Sequence, residues 1–153
     1  MKIAVVGGGI VGATCAYYLS KEQKNEIVVF DYGVGQATKA SAGIISPWFS
    51  KRRNKPWYKM ARLGADFYLK LVKDLEDDGY NTDFYSQCGV YLLKKKEDKL
   101  PELKELAESR KELSPMIGDL EIISKEEVQK IIPSFDNNGD VLYASGGGRV
   151  EGE

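Results

Sequence analysis

Three glycines and one acid are the residues of this chain whose types and spacing point to chemistry. Gly7-Gly8-Gly9-Ile10-Val11-Gly12 contains Gly-x-Gly-x-x-Gly at Gly7, Gly9 and Gly12, and Asp31 stands nineteen residues after Gly12. A glycine triplet with an acid about twenty residues on is the spacing of a dinucleotide fingerprint. Gly7 permits a tight turn. Gly9 lets a pyrophosphate approach the backbone. Gly12 lets a helix pack closely on a strand. The free N–H groups and positive dipole end of that helix then face the phosphates. Asp31 is expected to accept hydrogen bonds from both hydroxyls of an adenosine ribose, and its charge would repel a 2′-phosphate.

The elements needed to position these residues are present in order. Lys2 to Val6 is a short β-branched run, Ile10 to Lys21 is helix-forming, and Glu26 to Phe30 is a second apolar run ending on Asp31. Both runs are nearly continuously apolar, as parallel strands covered on both faces require. This predicts a strand–glycine turn–helix–strand–acid unit of Rossmann type.

Composition narrows the alternatives. The chain has 153 residues, 42 % of them apolar, and a net charge of −1, so it holds one or at most two domains and no global field calling for nucleic acid. It has no histidine, which removes a Ser-His-Asp triad, a Cys-His pair and any His-ligated metal site. Cys15 and Cys88 form no Cys-x-x-Cys pair and read as reduced, buried thiols. No signal peptide is expected, since a strand begins at Lys2, and no apolar run is long enough to span a bilayer. The expected location is cytoplasmic.

Further along, Lys51-Arg52-Arg53-Asn54-Lys55 is a charged loop or a positive rim for a substrate carboxylate. Pro56 opens a long helix with an apolar stripe from Trp57 to Leu75, stopped at Asp77-Asp78-Gly79. Asn81 to Ser86 reads as a connector, Gly89 to Leu93 as a strand, and Lys94 to Asp98 as a charged turn. Leu100, Leu103, Leu106, Ala107 and Leu113 mark another helix. Leu120 to Ile123 is a strand, and Ser124-Lys125-Glu126-Glu127 a capping box opening a short helix. Asn138-Gly139 is a turn and Asp140 to Ala144 the last strand.

The stretch Ala37-Thr38-Lys39-Ala40-Ser41-Ala42-Gly43-Ile44-Ile45-Ser46-Pro47, together with the fingerprint and Asp31, resembles the N-terminal part of the FAD-dependent amino-acid oxidase family, which includes glycine oxidase, sarcosine oxidase and the D-amino-acid dehydrogenases. The resemblance implies an α/β fold: a Rossmann-like FAD-binding βαβ unit with part of an inserted α+β substrate domain, incomplete relative to the family. It divides the chain into residues 1–80 of the FAD domain, 81–145 of the substrate domain, and 146–153 returning to the FAD domain. By the same resemblance, Ile10 and Val11 offer N–H groups to the FAD pyrophosphate. Asp31 and Tyr32 sit at the adenosine, Ala37 and Thr38 flank the pyrophosphate, and Ala42, Gly43 and Ile44 lie against the flavin. Family members pass a hydride from the α-carbon of an amino acid or amine to flavin N5.

The resemblance covers essentially the whole chain but only part of the family's length, and no catalytic side chain can be carried over. Two visible strands do not make a doubly wound sheet. The chain alone is therefore expected to expose apolar surface and strand edge, and to self-associate or need a complementing chain. Two other readings remain at this point. One is an NAD-dependent dehydrogenase, which Asp31 permits and the Ser-Ala-Gly-Ile-Ile-Ser-Pro segment disfavours. The other is a non-catalytic truncated module.

Overall fold

The computed structural model describes residues 1–34, 36–52, 54–94, 99–136 and 139–152. In chain order the elements are β1 (Lys2–Val6), α1 (Ile10–Ser20), β2 (Glu26–Phe30), β3 (Ile44–Ile45), α2 (Lys55–Asp77), β4 (Tyr85–Ser86), β5 (Val90–Leu92), α3 (Lys99–Glu108), β6 (Leu120–Ile123), α4 (Lys125–Ile131), β7 (Val141–Ala144) and β8 (Gly148–Val150), with 3-10 turns at Pro47–Phe49 and Pro115–Ile117. Contacts divide the chain into two units, residues 1–43 with 151–153, and residues 44–150.

The first unit is the βαβ element. β1 and β2 pair in parallel, from Lys2 opposite Glu26 to Val6 opposite Phe30. The expectation of strands covered on both faces is corrected here. No described residue of 1–43 is buried, and Val6 is 87 % and Phe30 57 % exposed. The reason is strand count: this sheet has two strands, so each keeps a free edge.

The second unit holds two antiparallel sheets, ordered β3-β8-β4 and β5-β7-β6. Its core gathers Trp48, Phe49, Ala65, Leu100, Leu103, Ile117 and Leu142. Ala65 brings α2 into this core, and the compact units part after residue 43 and after residue 150. α2 starts with Pro in its first turn and with the Asn54 side chain accepting the Trp57 N–H at 3.0 Å. It ends where Gly79 takes φ +83°, with Gly79 N–H donating to Glu76 O and Tyr80 N–H to Leu75 O, the reciprocal closure that favours glycine after a helix. α3 ends at Glu108, so Leu113 falls outside it and is exposed.

The capping box forms as expected: Ser124 accepts the Glu127 N–H, and the Glu127 carboxylate accepts from the Ser124 backbone. Ser124→Ala removes the acceptor and is expected to lower stability by about 1 kcal/mol. A urea midpoint unchanged from that of the parent chain would count against it. The expected turn at 138–139 and the charged turn at 94–98 fall largely outside the described residues, because 95–98 and Asn138 are not among them.

Candidate functional site

The site is built by what happens between β1 and α1. β1 ends at Val6, and the Gly7 N–H donates to Phe30 O at 2.7 Å, continuing the parallel pair by one bond. Gly7 takes φ +100°, a left-handed value that turns the chain sharply out of the sheet. Gly9 is the N-cap of α1, in extended conformation, with no side-chain cap, and no acid stands in the first turn of the helix. Gly12, one turn into α1, lies against the turn itself: a Cβ there would overlap the Gly7 carbonyl oxygen and press on Val5 Cγ1.

Two side chains from beyond β2 reach this helix start. Thr38 Oγ1 accepts the Ile10 N–H at 3.0 Å. Asp31 Oδ2 accepts the Gly8 N–H at 2.5 Å, while Oδ1 accepts the Gly33 N–H at 2.7 Å and Gln36 Nε2 at 2.6 Å. These donors, the Gly8 N–H foremost, then Gln36 and Gly33, hold the Asp31 carboxyl below its ordinary pKa. The structure thus refines two expectations. The Ile10 N–H already serves the Thr38 hydroxyl, because residues 37–40 form a turn that carries Thr38 to the helix start. Asp31 already accepts from three intrachain donors, because a short acid at a strand end closes an Asx turn onto the residue two places on.

Of the remaining predicted residues, Val11 and Tyr32 are strongly exposed and Ala42 is exposed. Gly43 takes φ +65° as the last residue of the first unit's leading segment. Ile44 belongs to the second unit, where it pairs with Arg149 of β8. There it helps line a cleft of about 390 Å³ with Ile45, Pro47, Trp57, Gly64 and Tyr68.

In the charged segment after it, two of the cations are engaged. Lys51 Nζ pairs with Glu102 at 2.6 Å, and the Arg52 guanidinium lies over the Trp57 ring at 4.6 Å. Arg53 lies outside the described residues. Both cysteines are free thiols and both are exposed, which corrects the expectation of buried ones. Among the described residues, no group of three or more His, Cys, Asp or Glu is placed to hold a metal ion, and no helix is long and apolar enough to cross a membrane.

Sequence reasoning passed over three residues that the structure puts at the site. Gly8 donates to Asp31 and has its α-carbon pressed toward the carboxylate, where a Cβ would come within 3.2 Å of Oδ2. Gln36 donates to the same carboxylate. Gly152 lies on the Thr38 backbone, and a Cβ there would overlap the Thr38 carbonyl oxygen. A Gly at position 8 is visible inside the fingerprint. Gln36 and Gly152 carry no local signal, since each matters through a residue it meets only in the fold.

The arrangement fits the adenosine and pyrophosphate end of a dinucleotide such as FAD. The N-cap Gly9 supplies no side-chain cap, the first turn bears no acid, and the Ile10 N–H is met by a neutral hydroxyl, that of Thr38. A Cβ at Gly9 would come within 3.1 Å of Thr38 Oγ1, so the small residue there lets the Thr38 hydroxyl approach the helix start.

Comparison with known proteins agrees with this geometry. The family described as FAD dependent oxidoreductase (DAO) matches residues 2–153. The chain is 38 % identical over 148 residues to the uncharacterised oxidoreductase YurR of Bacillus subtilis (strain 168), spanning 97 % of this chain and 40 % of that protein. It is 27 % identical over 146 residues to glycine oxidase of the same organism, spanning 94 % of this chain and 37 % of that one. The crystal structure of iminodiacetate oxidase from Chelativorans sp. BNC1 superposes with a TM-score of 0.88 at 26 % identity, over 99 % of this chain and 41 % of that one. The chain therefore spans about 40 % of the length of these relatives.

Proposed function

The chain belongs to the FAD-dependent oxidoreductase (DAO) family, and from that premise we propose that it is the N-terminal portion of an enzyme that oxidatively deaminates a D-amino acid or a small amine. The first unit holds the adenosine and pyrophosphate end of FAD. Gly7, Gly9 and Gly12 shape the turn, Ile10, Val11, Ala37 and Thr38 flank the phosphates, and Asp31 with Tyr32 faces the adenosine. Ala42, Gly43 and Ile44 serve the flavin end. Bound FAD supplies the redox chemistry, accepting a hydride from the substrate α-carbon. The chain supplies binding and orientation. The substrate-gripping residues are assigned to the portion of the relatives that this chain does not span.

One observation carries this reading: a helix start with no acid in its first turn, packed through Gly12 on Gly7, has Thr38 and Asp31 brought to it from beyond the second strand. An NAD enzyme would share the turn and the acid, but the family match favours FAD. The exposed apolar residues of the first unit support the view that the chain works with further strands, from a longer parent or a complementing chain.

The test is flavin retention. The chain is mixed with FAD, excess is removed, and the absorbance left on the protein is read. Retained FAD is the expected result. Folded protein that holds none would restrict the assignment to a longer parent. Asp31→Ala is expected to weaken retention roughly tenfold, as the loss of a charge-assisted hydrogen bond does. The pH dependence has a fixed sign. The folded-state pKa of Asp31 is depressed, so the stabilisation from its ionised form is fully present above the unfolded value, about 3.9. It is lost as pH falls through the lower folded value. A carbon-detected NMR titration showing Asp31 at or above the unfolded value would contradict this.

A further inference from the structure

We propose that Arg149 is a specificity-determining residue that receives a carboxylate of the substrate, so that carboxylate-bearing amino acids are taken in preference to plain amines. This rests on the reading that Ile44 serves the flavin end. It adds one group from this chain to those assigned to the portion it does not span.

β8 is the central strand of the sheet β3-β8-β4. Arg149 stands opposite Ile44 on one side and Ser86 on the other. Directly opposed residues of antiparallel strands share a face, with Cβ atoms about 5 Å apart. The three side chains therefore form one row across the sheet, and all three residues are exposed. Alternation along the strands puts Ile45 and Tyr85 on the other face. That face is covered: Ile45 packs against the core, and the Tyr85 ring stacks on Tyr68 of α2 at 5.6 Å. The exposed row holds an apolar side chain, a guanidinium and a hydroxyl, and no acid.

Arg149 follows Gly146-Gly147-Gly148, a run that the cofactor reading leaves unused. A Cβ on Gly146 would overlap the Met116 carbonyl oxygen, and one on Gly147 would overlap Val90. The Gly146 N–H donates to Ile117 O at 3.0 Å, and Gly147 O accepts the Gly89 N–H at 2.8 Å. The main chain entering β8 is thus held from two sides by other main chain. Arg149 starts from a fixed position, as a recognition residue must.

A guanidinium carries five N–H donors in a planar fork, two of which match the two oxygens of a carboxylate. It can keep a partner within the chain and still present such a pair. Its charge is permanent. It therefore separates a carboxylate from an amide of the same shape, and it repels an amine that brings no acid group. The Ser86 hydroxyl stands beside it as a further donor, and Ile44 as an apolar neighbour for the carbon skeleton.

The test is an NMR titration of the whole chain at constant ionic strength. The probes are acetate, acetamide, propylamine, D-alanine and D-isoasparagine, which carries its only carboxylate on the side chain. The readouts are the Arg149 side-chain N–H and the amides of Ile44 and Ser86. Acetate is expected to give saturating shifts and to bind at least about tenfold more tightly than acetamide, as charge-assisted hydrogen bonds do. Propylamine is expected to give none. Saturation by D-alanine assigns the α-carboxylate to Arg149, saturation by D-isoasparagine assigns a side-chain carboxylate, and either supports the proposal. Arg149→Gln is expected to lose these shifts with the β5-β7-β6 amides unmoved, and Arg149→Lys to recover part of the acetate binding. A purely structural role would disturb the Arg149→Gln spectrum without touching the difference between acetate and acetamide. No saturating shift with any carboxylate, or the same shifts in Arg149→Gln, would overturn the proposal. Flavin retention is scored on the same samples. Retained FAD with no response to acetate would overturn this proposal alone. A folded chain that retains no FAD would overturn the reading beneath it, and the substrate role of Arg149 with it.

Discussion

Gly12→Val is expected to abolish flavin retention and to strip residues 1–43 of cooperative structure. The collision is with backbone, not with a side chain that can swing away. A Cβ on Gly12 overlaps the Gly7 carbonyl oxygen and crowds the Gly7 carbonyl carbon and Val5 Cγ1. Relief requires α1 to move off β1, and that undoes the placement of the helix start between Asp31 and Thr38. Forced overpacking costs typically 1–3 kcal/mol where side chains can adjust, so about 3 kcal/mol or more is expected where only the main chain can. No described residue of the first unit is buried to absorb such a cost. Gly64→Ala is the matched control. Gly64 lies within α2, with nothing within 4 Å of a Cβ placed on it. Alanine there is expected to stabilise by up to about 1 kcal/mol through helix propensity. Retained FAD and unchanged amide dispersion for residues 1–43 in Gly12→Val would refute the close-packing argument.

The contrast between these two glycines shows what a sequence can disclose. β1, α1 and β2 were legible to within a residue because each is specified locally, by apolar continuity, by the glycine turn and by the acid at the strand end. The capping box and β6 were legible for the same reason. The strands β3, β4 and β8 were not. They are two or three residues long and exist because Arg149 pairs with Ile44 on one side and Ser86 on the other, partners 105 and 63 residues away in sequence. Within the site, the fingerprint and Asp31 could be named from spacing. That Asp31 is already engaged by Gly8, Gly33 and Gln36 could not, since a carboxylate's partners depend on a turn whose geometry the sequence only permits. Exposure in the first unit is legible from strand count, since two strands leave apolar surface and strand edge open, and illegible from apolar continuity alone, which reads as covered whether or not the covering strands are present.

Trp48 is the residue whose loss is expected to cost the second unit most, and nothing in its local sequence marks it. It sits in a 3-10 turn after β3, is fully buried, and its indole N–H donates to Ser114 Oγ at 2.9 Å. Ser114, itself fully buried, passes its own hydroxyl hydrogen to Asp66 Oδ1 at 2.6 Å, and Arg62 closes the chain on Asp66 Oδ2 at 2.9 Å. Arg62 also donates to Leu113 O, and Arg110 donates to Trp48 O. The ring is thus both a large apolar core member and the terminal donor of a partly buried polar relay joining the 3-10 turn, α2 and the segment before β6. Trp48→Ala removes the ring, opens a cavity and leaves the Ser114 hydroxyl short of a donor. Aromatic-to-alanine changes in cores cost about 3–5 kcal/mol, and the upper part of that range is expected here. Trp48→Phe separates the two contributions. It keeps most of the apolar volume and loses the N–H, so about 1–3 kcal/mol is expected, read as a shift in the urea midpoint. If the phenylalanine variant proved as damaging as the alanine one, the relay would dominate over packing. If both left the midpoint unchanged, Trp48 would not be the keystone of this core.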